Sequence, residues 1–197
     1  METLRQRPAC GFTYGDYRLW PEDRRWELID GEAYDMSPAP TRTHQTLVGE
    51  VFRQIANYLD AKPCEVYVAP FDVRLPVGDE ADDRINTVVQ PDIAVICDPS
   101  KLDEAGCRGA PDWIIEVLSP ATAAKDQVLK RDLYQRHGVR EYWLVHPTDH
   151  ILTRYRLENG GFGPALIEEM RGATVVDSMP GLEICWDFLT AKGAIGG

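Results

Sequence analysis

The chain has 197 residues, 21 Lys and Arg against 32 Asp and Glu, and a net charge of −11 at pH 7. Its 44% hydrophobic and 27% charged content exclude disorder as the main state. No window reaches the roughly 18 apolar residues of a membrane helix, and METLRQRPAC lacks the apolar core of a secretory signal, so a cytoplasmic protein is expected.

The length suits one domain, residues 1–197 with a core over about 12–190, able to bury itself without staples. Five cysteines, Cys10, Cys64, Cys97, Cys107 and Cys185, are far apart and form no C-x-x-C pair. They read as idle thiols in a reducing compartment. The acidic balance argues against DNA binding by the whole surface, because each phosphate contact needs a Lys or Arg, but leaves room for a local basic groove.

In chain order, residues 24–36 hold an Asp30-Gly31 turn between two short strand-like runs, a hairpin signal. After the Pro-rich SPAPTRTH, Leu47, Val51, Ile55 and Leu59 recur every fourth residue and predict a helix over 44–59, capped by Thr43 or Thr41. Residues 65–75 read as a strand broken at Pro70, and 77–84 as a solvated acidic loop. TVVQPDIAVI (87–96) and DWIIEVLSP (112–120) are strands, the second apolar enough to be central. Residues 122–137 predict a second helix, closed by His137-Gly138. REYWLVHP (140–147) pairs with ILTRYRL (151–157), and ALIEE, TVVD and LEICW are short tail strands. The order predicts an α/β domain with a mixed sheet.

Two carboxylates stand out. If strands 92–96 and 112–116 pair antiparallel with i + j = 208, Ile96 faces Asp112 and Asp92 faces Glu116. Opposed side chains sit about 4.5–5.5 Å apart at Cβ on one face. Two acids there repel each other, and a cation between them removes the conflict. Oxygen-only ligands suit Mg²⁺ or Mn²⁺, with the main-chain carbonyl of Val117 as a further donor. Asp126, Lys130 and Tyr134 lie four apart and stack on one helix face, from which Lys130 can reach the acids and Asp126 and Tyr134 can orient it. Lys125 is the rival cation, but it lies on a different face from Lys130. Each residue also has a structural reading: Asp92 as a strand start, Asp126 as a helix-dipole partner, Lys130 as its surface ion pair. A carboxylate inside IIEVL is harder to dismiss, because a central strand buries its charge.

These residues resemble a known family. VQPDIAVICD followed by GAPDWIIEVLSPATAAKDQVLKRDLYQRHGVREYWLVHP is similar to the Uma-two family of endonucleases, within the PD-(D/E)-x-K restriction-endonuclease-like superfamily. WELIDGEAYDMSPAPTRTH and MPGLEICWDFL extend the likeness over about residues 12–190. The resemblance implies a mixed central sheet flanked by helices, with extra N- and C-terminal strands. It implies Mg²⁺-dependent hydrolysis of DNA, with Asp92 and Glu116 as the acids of the two half-motifs. Position 118 is Leu rather than the superfamily's Lys, and in the family the lysine role has moved to the next helix, here Lys130.

Other residues attract chemical readings. His44 is a cap or a partly buried histidine, with a supporting role at the site as the alternative. Glu50 can reach the site from the first helix or face solvent. His146 and His150 flank a turn and form no zinc motif, and Gly160–Gly163 reads as a hairpin turn rather than a phosphate loop. Trp113, Tyr142 and Trp143 are expected in the core. Residues 125–140 carry five Lys and Arg against Asp126 and Asp132, a net +3 segment that is either a phosphate-binding groove or a solvated face. Three functions compete: a DNA endonuclease, a catalytically inactive interaction module of the same fold, and a nuclease acting on RNA or other phosphoesters. A homodimer suits double-strand cutting.

Overall fold

The Asp30-Gly31 turn forms as its residues predict. Both carry positive φ, 50° and 77°, the left-handed pair that a tight hairpin between twisted strands requires. The computed structural model describes residues 11–21, 23–36, 39–120 and 122–191. In chain order it has α1 (Tyr14–Tyr17), β1 (Trp26–Ile29), β2 (Glu32–Asp35), α2 (Arg42–Leu59), β3 (Glu65–Val68), β4 (Val73–Arg74), β5 (Val88–Val89) and β6 (Ile93–Ile96). There follow β7 (Leu102–Asp103), β8 (Gly106–Arg108), β9 (Trp113–Val117), a π-helical turn at Lys125–Lys130, and α3 (Arg131–His137). The chain continues with β10 (Glu141–His146), β11 (Ile151–Glu158), β12 (Gly161–Phe162), β13 (Leu166–Glu169), β14 (Ala173–Val175), β15 (Glu183–Cys185) and α4 (Phe188–Ala191).

The central sheet runs β12-β11-β10-β9-β6-β3, with β13 on β11. It is mixed: β9 and β10 are parallel, joined through the helical segment, and the other pairs are antiparallel. The assumed register is realised, because Ile93 faces Ile115, Ala94 faces Ile114 and Val95 faces Trp113. A second sheet, β2-β1-β5-β4-β8-β7, was not expected from the sequence, and β14 pairs with β15 apart from both. Prolines explain the division. The run 65–75 breaks at cis-Pro70 and the run 87–96 at Pro91, so each contributes one strand to each sheet.

Both faces of the central sheet are covered, which is why its inner strands read as continuous apolar runs. Ile93, Val95, Trp113, Ile115, Trp143 and Val145 point to α2, whose Leu47, Val51 and Ile55 are buried against them. Ala94, Ile96, Ile114, Tyr142 and Leu144 point the other way, onto Leu133 and Tyr134 of α3 and onto Val73 and Val89 of the second sheet. Trp113, Tyr142 and Trp143 are fully buried core residues, as expected. Thr41, one of the two cap candidates, caps α2 by accepting the His44 N–H. Gly138 closes α3 in the left-handed conformation that glycine favours.

The reading of the cysteines is corrected. Cys64 and Cys97 are disulfide-bonded, while Cys107 is a buried thiol and Cys185 an exposed one. Glu65 faces Ile96 across β3 and β6, so the next pair outward is Cys64 with Cys97, directly opposed. Cys10 lies outside the described residues. Among the described residues, no helix is long and apolar enough to cross a membrane.

Candidate active site

Asp92 and Glu116 meet as the register requires. Asp92 sits just before β6, on the segment that crosses from one sheet to the other. Its Oδ2 accepts the Val117 N–H at 2.8 Å, and its own N–H points at Glu116 Oε2, 3.4 Å away. The N–H and C=O of one strand residue share an edge, so the Val117 carbonyl also faces the Asp92 side. Glu116 lies on the α3 face of β9 and is 4% exposed.

Lys130 is brought to these acids and is itself 2% exposed. Its Nζ lies 2.8 Å from Glu116 Oε1, 2.7 Å from Glu27 Oε1 and 3.5 Å from Asp126 Oδ1. Tyr134 donates its hydroxyl to Glu116 Oε1 at 3.0 Å. Of the two residues expected to orient Lys130, Asp126 touches it directly, whereas Tyr134 is bonded to Glu116, the acid they share.

Glu27 went unrecognised in the sequence. It is on β1, fully buried, and takes Lys125 on Oε2 at 2.6 Å and the Gln90 N–H on Oε1 at 3.0 Å. A carboxylate inside the run WELI carries the same signal as the one inside IIEVL. Lys125 was assigned a different face from Lys130, which holds for a regular helix. The π-helical turn at 125–130 changes this: its i→i+5 repeat stacks residues five apart, and both lysines converge on Glu27.

His44 reaches the site from the first turn of α2, with Nε2 3.1 Å from Asp92 Oδ2 and a buried Nδ1 that has no hydrogen-bond partner among the described residues. Glu50, half-buried, pairs with Arg53 on its own helix. The net +3 segment does not form an open groove. Lys125 and Lys130 are held by Glu27, Arg131 pairs with Asp132, Arg136 with Asp30, and Arg140 with Asp112.

The cluster has more acid than base. Glu27, Asp92, Glu116 and Asp126 face Lys125 and Lys130, which is −4 + 2 = −2 if all are ionised. Burial pushes the Glu116 carboxyl up to about 8; Lys130 counters it, and Asp126, Asp92 and Glu27 add to the rise. Burial also raises Asp126. Burial opposes ionisation of Glu27 too, but Lys130 and Lys125 outweigh it and hold this acid below the usual carboxylate range. Lys130 is desolvated, yet Glu116, Glu27 and Asp126 outweigh that and fix it as an ammonium.

Among the described residues no three His, Cys, Asp or Glu side chains form a metal-ligating cluster. An all-protein cage of the kind zinc prefers therefore does not fit. Two oxygen donors with a surplus of negative charge do fit Mg²⁺ or Mn²⁺, which keeps waters and substrate oxygens in its shell.

Comparison with known proteins bears on this arrangement. The model of the family described as "Uma2: Putative restriction endonuclease" matches residues 14–191. The chain belongs to this family. A solved structure, "a putative nuclease belonging to DUF820 from Anabaena variabilis ATCC 29413", superposes with a TM-score of 0.71 at 19% identity, covering 91% of this chain and 98% of that one. That similarity shows a shared mixed α/β fold, consistent with a restriction-endonuclease-like architecture. A relative of Synechocystis sp., "Uncharacterized protein slr1290", is 27% identical over 151 residues, 74% of each chain. Family membership supports nuclease chemistry in general. Asp92 and Glu116, the P-D and E-V-L-S-P acids of the chain, both lie within the matched range.

Proposed function

We propose that this protein is a divalent-metal-dependent endonuclease that hydrolyses DNA phosphodiester bonds. The observation that carries the reading is the meeting of half-buried Asp92 with buried Glu116 on adjoining segments of the sheet, with Lys130 on Glu116. Asp92, Glu116 and the Val117 carbonyl would hold Mg²⁺ or Mn²⁺, which when bound polarises a phosphoryl oxygen and makes water more acidic. The protein's own groups do the rest. The Val117 N–H and His44 fix the Asp92 carboxylate. Tyr134 and Lys130 fix one oxygen of Glu116, leaving the other on the Asp92 side. The Lys130 ammonium places positive charge where a phosphorane-like transition state develops negative charge.

Supercoiled plasmid incubated with the purified protein and Mg²⁺ or Mn²⁺ tests the reading. Nicking should depend on the metal and fall to background in Asp92→Ala and Glu116→Ala. Equal nicking by the mutants refutes the site. An RNA and nucleotide panel separates DNA cleavage from hydrolysis of other phosphoesters.

One observation favours a second reading, a non-catalytic interaction module. Lys130 is engaged by three acids and buried, so its charge is already spent within the fold. Calorimetric titration separates the two: absence of both divalent-metal binding and nicking supports the module.

A further inference from the structure

A cleft of about 530 Å³ is walled by Tyr67, Phe71, Asp72, Gln90, Asp103 and Glu104, with Gln90 two residues before Asp92 in the chain. Its position follows from the register. Val68 faces Ile93 and the Ala69 N–H bonds to the Asp92 carbonyl, so Ala69 is opposite Asp92. Tyr67, two residues back, is then a diagonal neighbour of Asp92. Such neighbours lie about 7–8 Å apart, within reach of an aromatic side chain. Tyr67 faces Ala94 and Ala94 faces Ile114, so Tyr67 points to the same face of the sheet as Glu116.

The walls combine flat rings with fixed acceptors. The Tyr67 and Phe71 rings are stacked, 4.1 Å between centroids and 5° from parallel, and both are half-buried. Gln90 is held on every side: Nε2 donates to Asp72 Oδ1 at 2.8 Å and to the Tyr17 hydroxyl at 3.1 Å, and Oε1 accepts from Arg25. Its main-chain N–H is bonded to Glu27, so this wall is fastened to the acid–lysine cluster.

We infer that the cleft receives one unpaired nucleobase of the strand whose phosphodiester lies at Asp92 and Glu116. The inference rests on the nuclease reading of that site and adds a substrate subsite to it. The volume suits a nucleoside-sized ligand. The carboxylates of Asp72 and Glu104 repel a phosphate, and Asp103, whose charge is met by Arg74, adds acceptor oxygens rather than attraction, so the backbone stays outside. They accept N–H donors from a base edge, while the rings offer the stacking surface that every base can use. A base paired within a duplex cannot enter, and unpairing is least costly in single-stranded or mismatched DNA. Such DNA is therefore the favoured substrate class.

The test uses the full chain carrying Asp92→Asn, which binds without cutting, and single-stranded DNA containing one 2-aminopurine. Binding should quench the 2-aminopurine emission. Phe71→Leu and Tyr67→Leu, each added to Asp92→Asn, should abolish the quenching and weaken binding at least about fivefold. Phe71→Tyr should preserve both, which separates loss of stacking from loss of folding. Unchanged emission and affinity in both leucine variants would overturn the inference. So would saturation of the cleft by spermidine with no binding of the probe, since the carboxylates would then select the ligand. The two claims fail separately: plasmid nicking that survives Asp92→Ala removes the nuclease site and leaves the quenching result standing. Metal-dependent nicking with no ring-dependent quenching removes only the base subsite.

Discussion

Glu116→Gln isolates the cost of keeping a surplus acid inside the fold. Burial and three neighbouring carboxylates raise this group from 4.5 to about 8. Between these two values the unfolded chain has lost the proton while the folded chain keeps it. The folded state then binds more protons, so stability falls as pH rises through this window. At about 1.4 kcal/mol per pH unit, the interval from 4.5 to 7 removes about 3 kcal/mol. Glutamine is the permanent analogue of the protonated acid. It retains an oxygen for the Tyr134 hydroxyl, and Lys130 keeps Glu27 and Asp126. The variant should therefore lose the downward slope.

The assay is thermal unfolding of both proteins from pH 5 to pH 8 without divalent metal. For a chain of this size 3 kcal/mol corresponds to about 6–12 °C, so the gap between variant and wild type should widen by that amount as pH rises from 5 to 7. The same variant should lose metal-dependent nicking, a trade of function for stability. Parallel melting curves across the range, or a variant less stable at pH 7 than at pH 5 by the wild-type margin, would refute the assignment of a raised Glu116.

Three further outcomes are expected. Glu27→Gln removes the shared partner of Lys125 and Lys130 and should cost about 3–5 kcal/mol in urea unfolding at pH 7, as breaking a buried ion pair does. Because Glu27 is held below its usual 4.5, its stabilising contribution is complete above that pH and fades as pH falls further, so the wild type and Glu27→Gln should converge in strong acid. Lys130→Met strands three carboxylates and should both abolish nicking and destabilise the fold, while Lys125→Met, whose ammonium pairs with one acid, Glu27, among the described residues, should cost less in the same denaturation experiment. Reduction of the Cys64–Cys97 bond, which closes a sequence separation of 33, should lower stability by about 3–4 kcal/mol, read by unfolding with and without dithiothreitol.

Much of the architecture is legible because its signals are local or follow from one register. The Asp30-Gly31 hairpin, the i+4 face of α2 and the left-handed Gly138 each depend on a few adjacent residues. The facing of Asp92 and Glu116 needed only the assumption i + j = 208, which strand alternation then propagates. The second sheet was not legible, because Pro70 reads as a break within one strand and residues 87–96 as a single strand across Pro91. In the fold they are the points where the chain changes sheets. The disulfide was hidden for a related reason: Cys64 and Cys97 become opposed only once the pairing of β3 with β6 is known.

The site was legible only as far as a regular helix could carry the reasoning. Lys130 and Tyr134, four residues apart, do reach Glu116, and Asp126 reaches Lys130. The placement of Lys125 failed because no feature of KDQVLK distinguishes a π-helical turn from an α-helical one. In the fold, Glu27 holds two ammonium groups from residues five apart. Glu27 itself was detectable, since an acid within WELI is as costly to bury as one within IIEVL. What the sequence lacked was its partner: β1 reaches β9 only through β5 and the crossing at Pro91, and nothing local in residues 24–36 indicates that contact. Two buried acids each demanded a cation, and one lysine, held by both, met the demand. Once Lys125 is matched to Glu27 and Lys130 to Glu116, Asp92 and Asp126 keep the two remaining negative equivalents if all the acids ionise, and Asp92 brings its share to the pair that would hold the metal.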